Sequence, residues 1–188
     1  GTTYHHLTVA VSGTATMGAD TIANGNVTVT DGTLDPTTGY TLTGSGTNVL
    51  DVVTGTLKVQ HSTFAGSYPS FETVTLGTGS NVNYTLNGTQ TIDNTLSYYS
   101  LKISTGGTKT SGGNITVGGD LNVTAGTLAL SSYNLTVSGV SDISGTLNDD
   151  SATGTNIFTG AVTLNSGSTW SNTNNPAFEF RGGLTVDT

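Results

Sequence analysis

The chain has 188 residues, 27 glycines, no cysteine and a formal net charge of −8, and only 9% of its residues are charged. With only four Lys and Arg residues, the chain lacks the clustered basic side chains that nucleic-acid binding requires. The absence of Cys excludes disulfides, zinc–thiolate sites and thiol nucleophiles. No apolar run is long enough to span a bilayer, so membrane insertion is not expected. The composition fits an exported protein better than a cytosolic enzyme.

Short apolar–polar–apolar segments recur along the chain. Each predicts a strand with one buried face, because successive side chains of a strand point to opposite sides. Thr and Val suit such strands, since their branched Cβ atoms pack well on a pleated surface. No window has helical periodicity, and frequent Gly makes long helices costly. In chain order, strands are expected at Leu7–Val9, Val27–Val29, Leu101–Ile103, Ile115–Val117, Leu121–Val123, Leu128–Leu130, Leu135–Val137 and Leu184–Val186.

The chain contains a long internal repeat. Tyr4–Leu34 recurs in spacing as Tyr98–Leu128, 94 residues later, and both segments end in Gly-Thr-Leu. Self-similarity at a nearly fixed offset indicates tandem structural units joined by loops of variable length. We therefore divide the chain into a first unit, 1–97, and a second unit, 98–188, that continues directly from the first.

The strand spacing in the second unit restricts the architecture. Strand starts at 115, 121, 128 and 135 are too close for βαβ crossovers, so two all-β folds remain, an antiparallel β-sandwich pair and a parallel β-solenoid. We favour the solenoid, because the strands are short for a sandwich and apolar residues recur one coil apart. About nine coils of roughly 20 residues, spaced ~4.8 Å apart, would give a rod of about 43 Å. The apolar columns join Ile115 to Leu135, Leu121 to Ile143, and Leu128 to Leu147.

The motifs of the second unit resemble a known group of repeats. The chain reads YYSLKIS, GGTKT, GGNITVGGDLNVTAGTLAL and NLTVSG from Tyr98 onward, with GTQTID before this run and AVTLNSGSTW after it. This run resembles the Thr/Gly/Asn-rich repeats of large secreted bacterial surface proteins. The resemblance covers nearly the whole chain twice and implies β-solenoid adhesin stalks or extracellular scaffolds, with no catalytic residue and no cofactor. The first unit departs from the pattern at Thr14–Ala23, which is Ala-rich.

Neither end of the predicted solenoid has a polar or helical cap. An open solenoid end exposes unpaired backbone groups and an apolar cross-section, and a head-to-tail contact that does not close produces a filament. We therefore expect end-to-end self-association, and we interpret the chain as a non-catalytic subunit of an extracellular surface filament or a segment of a surface stalk. The candidate assembly residues are Tyr4, Leu7 and Val9 at one end and Phe178, Phe180, Leu184 and Val186 at the other.

Two insertions favour an alternative function, an adhesin or carbohydrate-binding module. Residues 67–72 and 172–177 each contain a proline and contain or adjoin aromatic side chains. Binding residues concentrate on loops carried by rigid scaffolds, although both segments also fit loops that simply fold over the rod. The partners would be glycans or a host or cell surface, and the candidate contacts are Tyr68, Phe71, Trp170 and Asn174.

A polysaccharide-cleaving enzyme and an ice-binding protein are further alternatives. Asp149-Asp150 could be the acid and base of a polysaccharide-cleaving β-helix enzyme, but a solvated turn is expected at this position. Ice binding needs one Thr-x-Thr pair in each coil, and the intervals between the pairs are irregular here. Adjacent His5 and His6 would point to opposite faces of a strand, so no metal site is expected.

Overall fold

The computed structural model describes residues 1–150 and 154–188. Their strands pair in parallel and stack as a β-solenoid of about nine coils with three faces, so the predicted fold is confirmed and the sandwich alternative is wrong. All eight segments predicted as strands lie in strands or overlap them. A single helix, α1 (Phe64–Ser67), occurs in the described part of the chain.

The three faces follow one another in each coil. Face 1 consists of the first parts of β2 (Leu7–Thr16) and β4 (Val27–Asp35), then β6 (Val49–Val52), β8 (Thr73–Leu76), β13 (Ile115–Val117), β16 (Leu135–Val137), β19 (Thr155–Phe158) and β22 (Ala177–Phe180). Face 2 consists of the last parts of β2 and β4, then β7 (Thr56–Val59), β9 (Asn81–Tyr84), β11 (Ser100–Ile103), β14 (Leu121–Val123), β17 (Ser141–Ile143), β20 (Val162–Leu164) and β23 (Leu184–Val186). Face 3 consists of β1 (Thr2–Tyr4), β3 (Thr21–Ala23), β5 (Leu42–Thr43), β10 (Gln90–Ile92), β12 (Thr108–Ser111), β15 (Thr127–Ala129), β18 (Thr146–Asp149) and β21 (Thr169–Asn172).

Long strands turn the corner between two faces near the beginning of the chain. In β4, Val27 pairs with Leu50 on face 1, whereas Thr33 pairs with Thr56 on face 2. From there to β23, face 2 forms an unbroken parallel ladder. This ladder ties each coil to the next by backbone hydrogen bonds along the length of the rod.

Apolar side chains stack in columns inside the rod. Leu101 and Leu121 are aligned in register and fully buried, as are the aligned pairs Ile103 with Val123 and Leu128 with Leu147. The predicted columns Ile115–Leu135 and Leu128–Leu147 are confirmed. The predicted column Leu121–Ile143 is wrong by two residues, because Leu121 aligns with Ser141 and Val123 aligns with Ile143.

A column of glycines allows the coils to approach closely at the corner between faces 1 and 2. Gly139, Gly160 and Gly182 each follow a strand of face 1 and precede a strand of face 2. A Cβ on Gly160 would lie 2.1 Å from the Gly139 carbonyl oxygen, and a Cβ on Gly182 would lie 2.3 Å from the Gly160 carbonyl carbon. At this corner the glycines are needed because a side chain would collide with the backbone of the neighbouring coil.

The repeat of 94 residues does not return to the same face. Leu7 pairs with Val27 on face 1, whereas Leu101, 94 residues later, pairs with Val82 on face 2. An offset of 94 residues therefore corresponds to several complete coils and one additional face. Pairing of β9 with β11 carries the backbone ladder across the boundary between residues 97 and 98. The division into two tandem units stays a prediction.

The interior also holds a lysine. Lys109 aligns with Gln90 on face 3, and its side chain is fully buried. Its ammonium donates hydrogen bonds to the carbonyl oxygens of Leu86 (2.8 Å), Gly88 (3.0 Å) and Gly106 (2.7 Å). Burial lowers the pKa of Lys109 by disfavouring its charged form.

A partly buried ion pair joins two neighbouring coils on face 2. Lys58 Nζ lies 2.8 Å from Asp35 Oδ2, and Asp35 Oδ1 accepts hydrogen bonds from Gln60 Nε2 (3.1 Å) and the Thr37 N–H (2.9 Å). Burial opposes ionisation of this carboxyl group. The hydrogen bonds and the Lys58 charge outweigh burial and hold the pKa of Asp35 below its ordinary value.

Candidate assembly ends and binding groove

The first coil leaves the interior of the solenoid open. Tyr4 ends β1, and Leu7 and Val9 lie in β2, so these three candidate residues stand together on the first coil. With Ala15 and Met17 they line a cavity of about 420 Å³. Tyr4 is 43% exposed, whereas Val9 is buried. This end therefore presents a concave surface on which apolar side chains alternate with polar ones such as Thr2, Thr16 and Thr21.

The last coil presents an exposed apolar surface. Leu184 and Val186 lie in β23 and are 46% and 57% exposed. Phe178 and Phe180 lie in the neighbouring β22 and are half-buried. The structure thus brings the four candidate residues of this end together.

An aromatic cluster packs within the last coils. The Trp170 ring lies 5.5 Å from Phe158, 5.1 Å from Phe178 and 5.6 Å from Phe180, measured between centroids. Trp170 lies in β21, so its placement in a contact loop is wrong. Because the ring packs against the core, Trp170 belongs to the C-terminal end of the rod and not to the 172–177 loop.

The strand edges exposed at the two ends of the rod run in the same direction. Within the described chain, β1 and β2 pair on one side only, as do β21, β22 and β23 at the opposite end. A parallel stack can therefore continue from the last coil of one rod into the first coil of another without reversing any strand. The candidate assembly residues divide between these ends and form no single site within one molecule.

The first insertion follows directly on α1 and forms a braced loop. The Thr63 side chain caps α1 by accepting a hydrogen bond from the Gly66 N–H at 2.9 Å. Ser67 Oγ accepts hydrogen bonds from the N–H groups of Gln60 (2.9 Å) and His61 (3.2 Å). The helix is therefore held against the chain that leaves face 2.

Tyr68 anchors this loop from inside. Its hydroxyl lies 2.8 Å from the Lys58 carbonyl oxygen and 3.2 Å from the Leu34 carbonyl oxygen, and its side chain is buried. Burial raises the pKa of Tyr68 well above its ordinary value. The prediction of Tyr68 as a surface contact is wrong, because a large apolar ring beside a solenoid core gains more from burial than from exposure.

Phe71, a predicted loop contact, lines a groove beside the rod. A cavity of about 370 Å³ lies between the 64–74 segment and the 93–96 loop, with Phe71 and Glu72 on one side and Asp93 on the other. A second cavity of about 270 Å³ shares Phe64, Ala65 and Asp93 with the first. The two cavities share these three lining residues, and together we call them the groove.

Two buried tyrosines fix the position of Asp93. The hydroxyls of Tyr84 and Tyr98 lie 2.9 Å apart. The Tyr98 hydroxyl donates to the Asp93 carbonyl oxygen (2.7 Å), and the Tyr84 oxygen accepts from the Asp93 N–H (3.0 Å). Since Tyr98 has one proton to donate, Tyr84 must donate to Tyr98. This group was not predicted from the sequence, because nothing local to either tyrosine indicates the partner.

The second insertion lies at the same corner of the rod as the first, between faces 3 and 1. Residues 67–72 and 172–177 are five coils apart along face 2, which corresponds to about 24 Å at ~4.8 Å per coil. Asn174 is exposed, and its side-chain amide donates to the Asp150 carbonyl oxygen. The two loops therefore form separate surfaces.

The acidic pair does not form a solvated turn. Asp149 is the last residue of β18, fully buried, and accepts a hydrogen bond from the Asn156 side-chain amide. Asp150 accepts a hydrogen bond from the Thr173 hydroxyl. The prediction of a solvated turn is wrong for Asp149, because it points inward two residues after the buried Leu147.

The histidines near the start lie in a bend between β1 and β2. The His5 and His6 rings have centroids 5.1 Å apart, so the expectation that they point to opposite faces of a strand is wrong. His6 Nδ1 accepts a hydrogen bond from the Asn26 N–H at 3.1 Å. Among residues 1–150 and 154–188, no group of three or more His, Cys, Asp or Glu could hold a metal ion.

Threonines form one regular column on face 3. Thr108, Thr127, Thr146 and Thr169 align in successive coils. The neighbouring outward column is mixed and consists of Thr110, Ala129, Asn148 and Ser171. Thr91 also aligns with Thr110 in this second column, but Ala129, Asn148 and Ser171 follow, so the Thr-x-Thr pair does not recur in every coil of face 3, as the irregular intervals predict.

No helix in the described part of the chain is long and apolar enough to cross a membrane. No protein-family model, no curated protein and no solved structure matches the sequence.

Proposed function

We propose that the chain is a non-catalytic structural rod of a bacterial cell surface, and that it associates end to end with further copies of itself into a filament. The proposal rests on the face 2 ladder, which runs from β2 to β23 and has unpaired edges at both ends of the described chain. The resemblance to repeats of secreted surface proteins supports the extracellular location.

The rod would work mechanically. Every coil hydrogen-bonds its neighbours through parallel strands, so bending or stretching the rod must strain many backbone bonds together. Few charges and many hydroxyl groups give an outer surface with little electrostatic repulsion between neighbouring coils. Burial of Asp149, one half of the acidic pair, supports a role without catalysis.

A second copy is the occupant that the ends fit best. The first coil has a cavity of about 420 Å³ that includes Leu7, and the last coil exposes Leu184 and Val186. Continuing the parallel ladder would place β23 of one rod beside the last part of β2 of the next. Apolar side chains of the last coil would then cover the open interior of the first, at a gain of about 25 cal/mol per Å² of apolar surface.

Sedimentation velocity over a range of concentrations tests end-to-end association. The wild-type chain should shift to larger species as concentration rises, whereas the double variant Leu184→Asp/Val186→Asp should stay monomeric, because two carboxylates cannot enter an apolar contact. Val140→Asp is the matched control, since Val140 is 50% exposed on the side of the rod. A wild-type chain that stays monomeric throughout would contradict self-association and leave the stalk segment as the structural role.

A further inference from the structure

The coil that carries α1 is longer than the ladder requires. Asn81 pairs with Thr56, 25 residues earlier, whereas Leu121 pairs with Leu101, 20 residues earlier, on the same face. The additional residues form α1 and the 67–72 loop, which border the groove. Since coils without this insertion also pair in parallel on face 2, pairing between coils does not require it.

Backbone hydrogen bonds hold the groove wall against the neighbouring coil. Pro69 O accepts a hydrogen bond from the Gly44 N–H (2.8 Å), and Ser70 O accepts one from the Gly46 N–H (2.7 Å). A Cβ on Gly44 would lie 2.5 Å from Ser70 O, so the loop fits closely against the coil below. Ser70 itself has φ +61°, a conformation that costs a non-glycine residue energy and that recurs at functional sites. Such preorganisation reduces the entropy that binding costs.

The lining combines apolar surface with hydrogen-bond acceptors. Phe71 and Leu96 are half-buried and provide apolar surface, and Glu72, Asp93 and Asn94 add carboxylate and amide groups. Thr95 donates two hydrogen bonds to Asp93 Oδ1, one from its N–H (2.8 Å) and one from its hydroxyl (2.6 Å). These two bonds orient the Asp93 carboxylate. Its other oxygen, Oδ2, has no hydrogen bond from the described residues, so it can accept one from a ligand.

The charge of the groove selects against anions. Glu72 and Asp93 line it, and no Lys or Arg does so among the residues that the structure describes. Uronic acids, sulfated sugars and phosphates would meet two carboxylates without a counter-charge. A neutral sugar has apolar C–H faces for aromatic contact and hydroxyls that donate to carboxylate and amide oxygens.

We propose that this groove binds a neutral oligosaccharide. One sugar ring would pack on Phe71 in the larger cavity and donate hydroxyl hydrogen bonds to Glu72 and Asp93. A second ring would occupy the smaller cavity beside Asn94, since Asp93 borders both cavities. The site deepens the carbohydrate-binding alternative and does not rest on end-to-end association, because all of its residues lie in the middle coils of one rod.

Saturation-transfer NMR on the full chain tests this site with cellobiose, maltose, lactose and N,N′-diacetylchitobiose as neutral probes and digalacturonate as the anionic probe. At least one neutral disaccharide should receive saturation from the protein, and digalacturonate should receive none. Phe71→Ala and Asp93→Asn should each weaken the binding by about tenfold or more, as loss of about 1.4 kcal/mol of contact energy requires. Circular dichroism establishes that each variant is folded.

Matched controls separate the groove from the rest of the surface. Tyr133→Ala removes an aromatic residue that is 37% exposed outside the groove, and Asp187→Asn removes an acid from the last coil. Both variants should bind the neutral disaccharide as the wild type does. Failure of all four neutral probes to bind, equal binding of digalacturonate, or unchanged binding by folded Phe71→Ala and Asp93→Asn would each overturn the proposal. None of these outcomes bears on sedimentation, so the two proposals fail separately.

Discussion

The Tyr84–Tyr98 pair gives a sharp test of the packing between neighbouring coils. Its network has three bonds, Tyr84 to Tyr98 (2.9 Å), Tyr98 to Asp93 O (2.7 Å) and Asp93 N to Tyr84 (3.0 Å). Each tyrosine takes part in two of them. At about 1 kcal/mol of net stability per neutral hydrogen bond, Tyr84→Phe and Tyr98→Phe should each lower the free energy of unfolding by about 2 kcal/mol.

The double variant makes the prediction quantitative. Tyr84→Phe/Tyr98→Phe removes three different bonds, so it should cost about 3 kcal/mol, less than the sum of the single variants by about 1 kcal/mol. Urea unfolding monitored by far-UV circular dichroism measures all four proteins of the cycle. Strictly additive effects, or single variants as stable as the wild type, would refute the proposed network.

The same pair predicts how the rod responds to alkali. Burial raises the pKa values of Tyr84 and Tyr98 above the ordinary value for tyrosine. Their contribution to stability is therefore fully present below that ordinary value and is lost as pH rises through the higher folded-state values. Urea titrations between pH 8 and 11 should show stability falling at the alkaline end, with a smaller fall in Tyr84→Phe/Tyr98→Phe.

Three further predictions concern single positions. Gly160→Ala should destabilise the rod by more than about 1 kcal/mol in urea unfolding, since its Cβ would meet the carbonyl of the coil below, whereas Gly13→Ala, with open space around it, should be nearly neutral. As pH falls below 3.8, stability should decrease through the lowered pKa of Asp35, and less steeply in Lys58→Met; equal pH profiles would contradict this role. Lys109→Met should cost about 2–4 kcal/mol in the same assay by leaving buried carbonyls without their donor, and an unchanged midpoint would contradict it.

Local alternation predicted eight strand segments, and their short length together with apolar residues recurring one coil apart predicted the fold class. Ile115–Val117 and Leu121–Val123 form strands as expected, because a period of two is a property of the strand itself. Register between coils was harder to predict. Leu121 aligns with Ser141 and not with Ile143, because a shift of two residues leaves the same side chains facing inward, so alternation alone does not distinguish the two registers.

The environment of several site residues depends on contacts that the sequence does not display. Asp149 is an exception, since its position two residues after the buried Leu147 places it on the inward face of β18. Tyr68 has no such signal, because its burial follows from how α1 folds back against face 2. Phe71 and Asp93 line the same cavity because successive coils stack, although the two residues lie far apart in the sequence.

Cryo-electron microscopy of the wild-type chain at neutral pH tests the central claim most directly. Continuation of the parallel ladder from rod to rod predicts fibres one rod wide, with a layer line at about 4.8 Å along the fibre axis. The Leu184→Asp/Val186→Asp variant should give isolated rods of about nine coils under the same conditions. Isolated rods from the wild-type chain at every concentration, or fibres with the 4.8 Å spacing across their axis, would contradict assembly through the open ends.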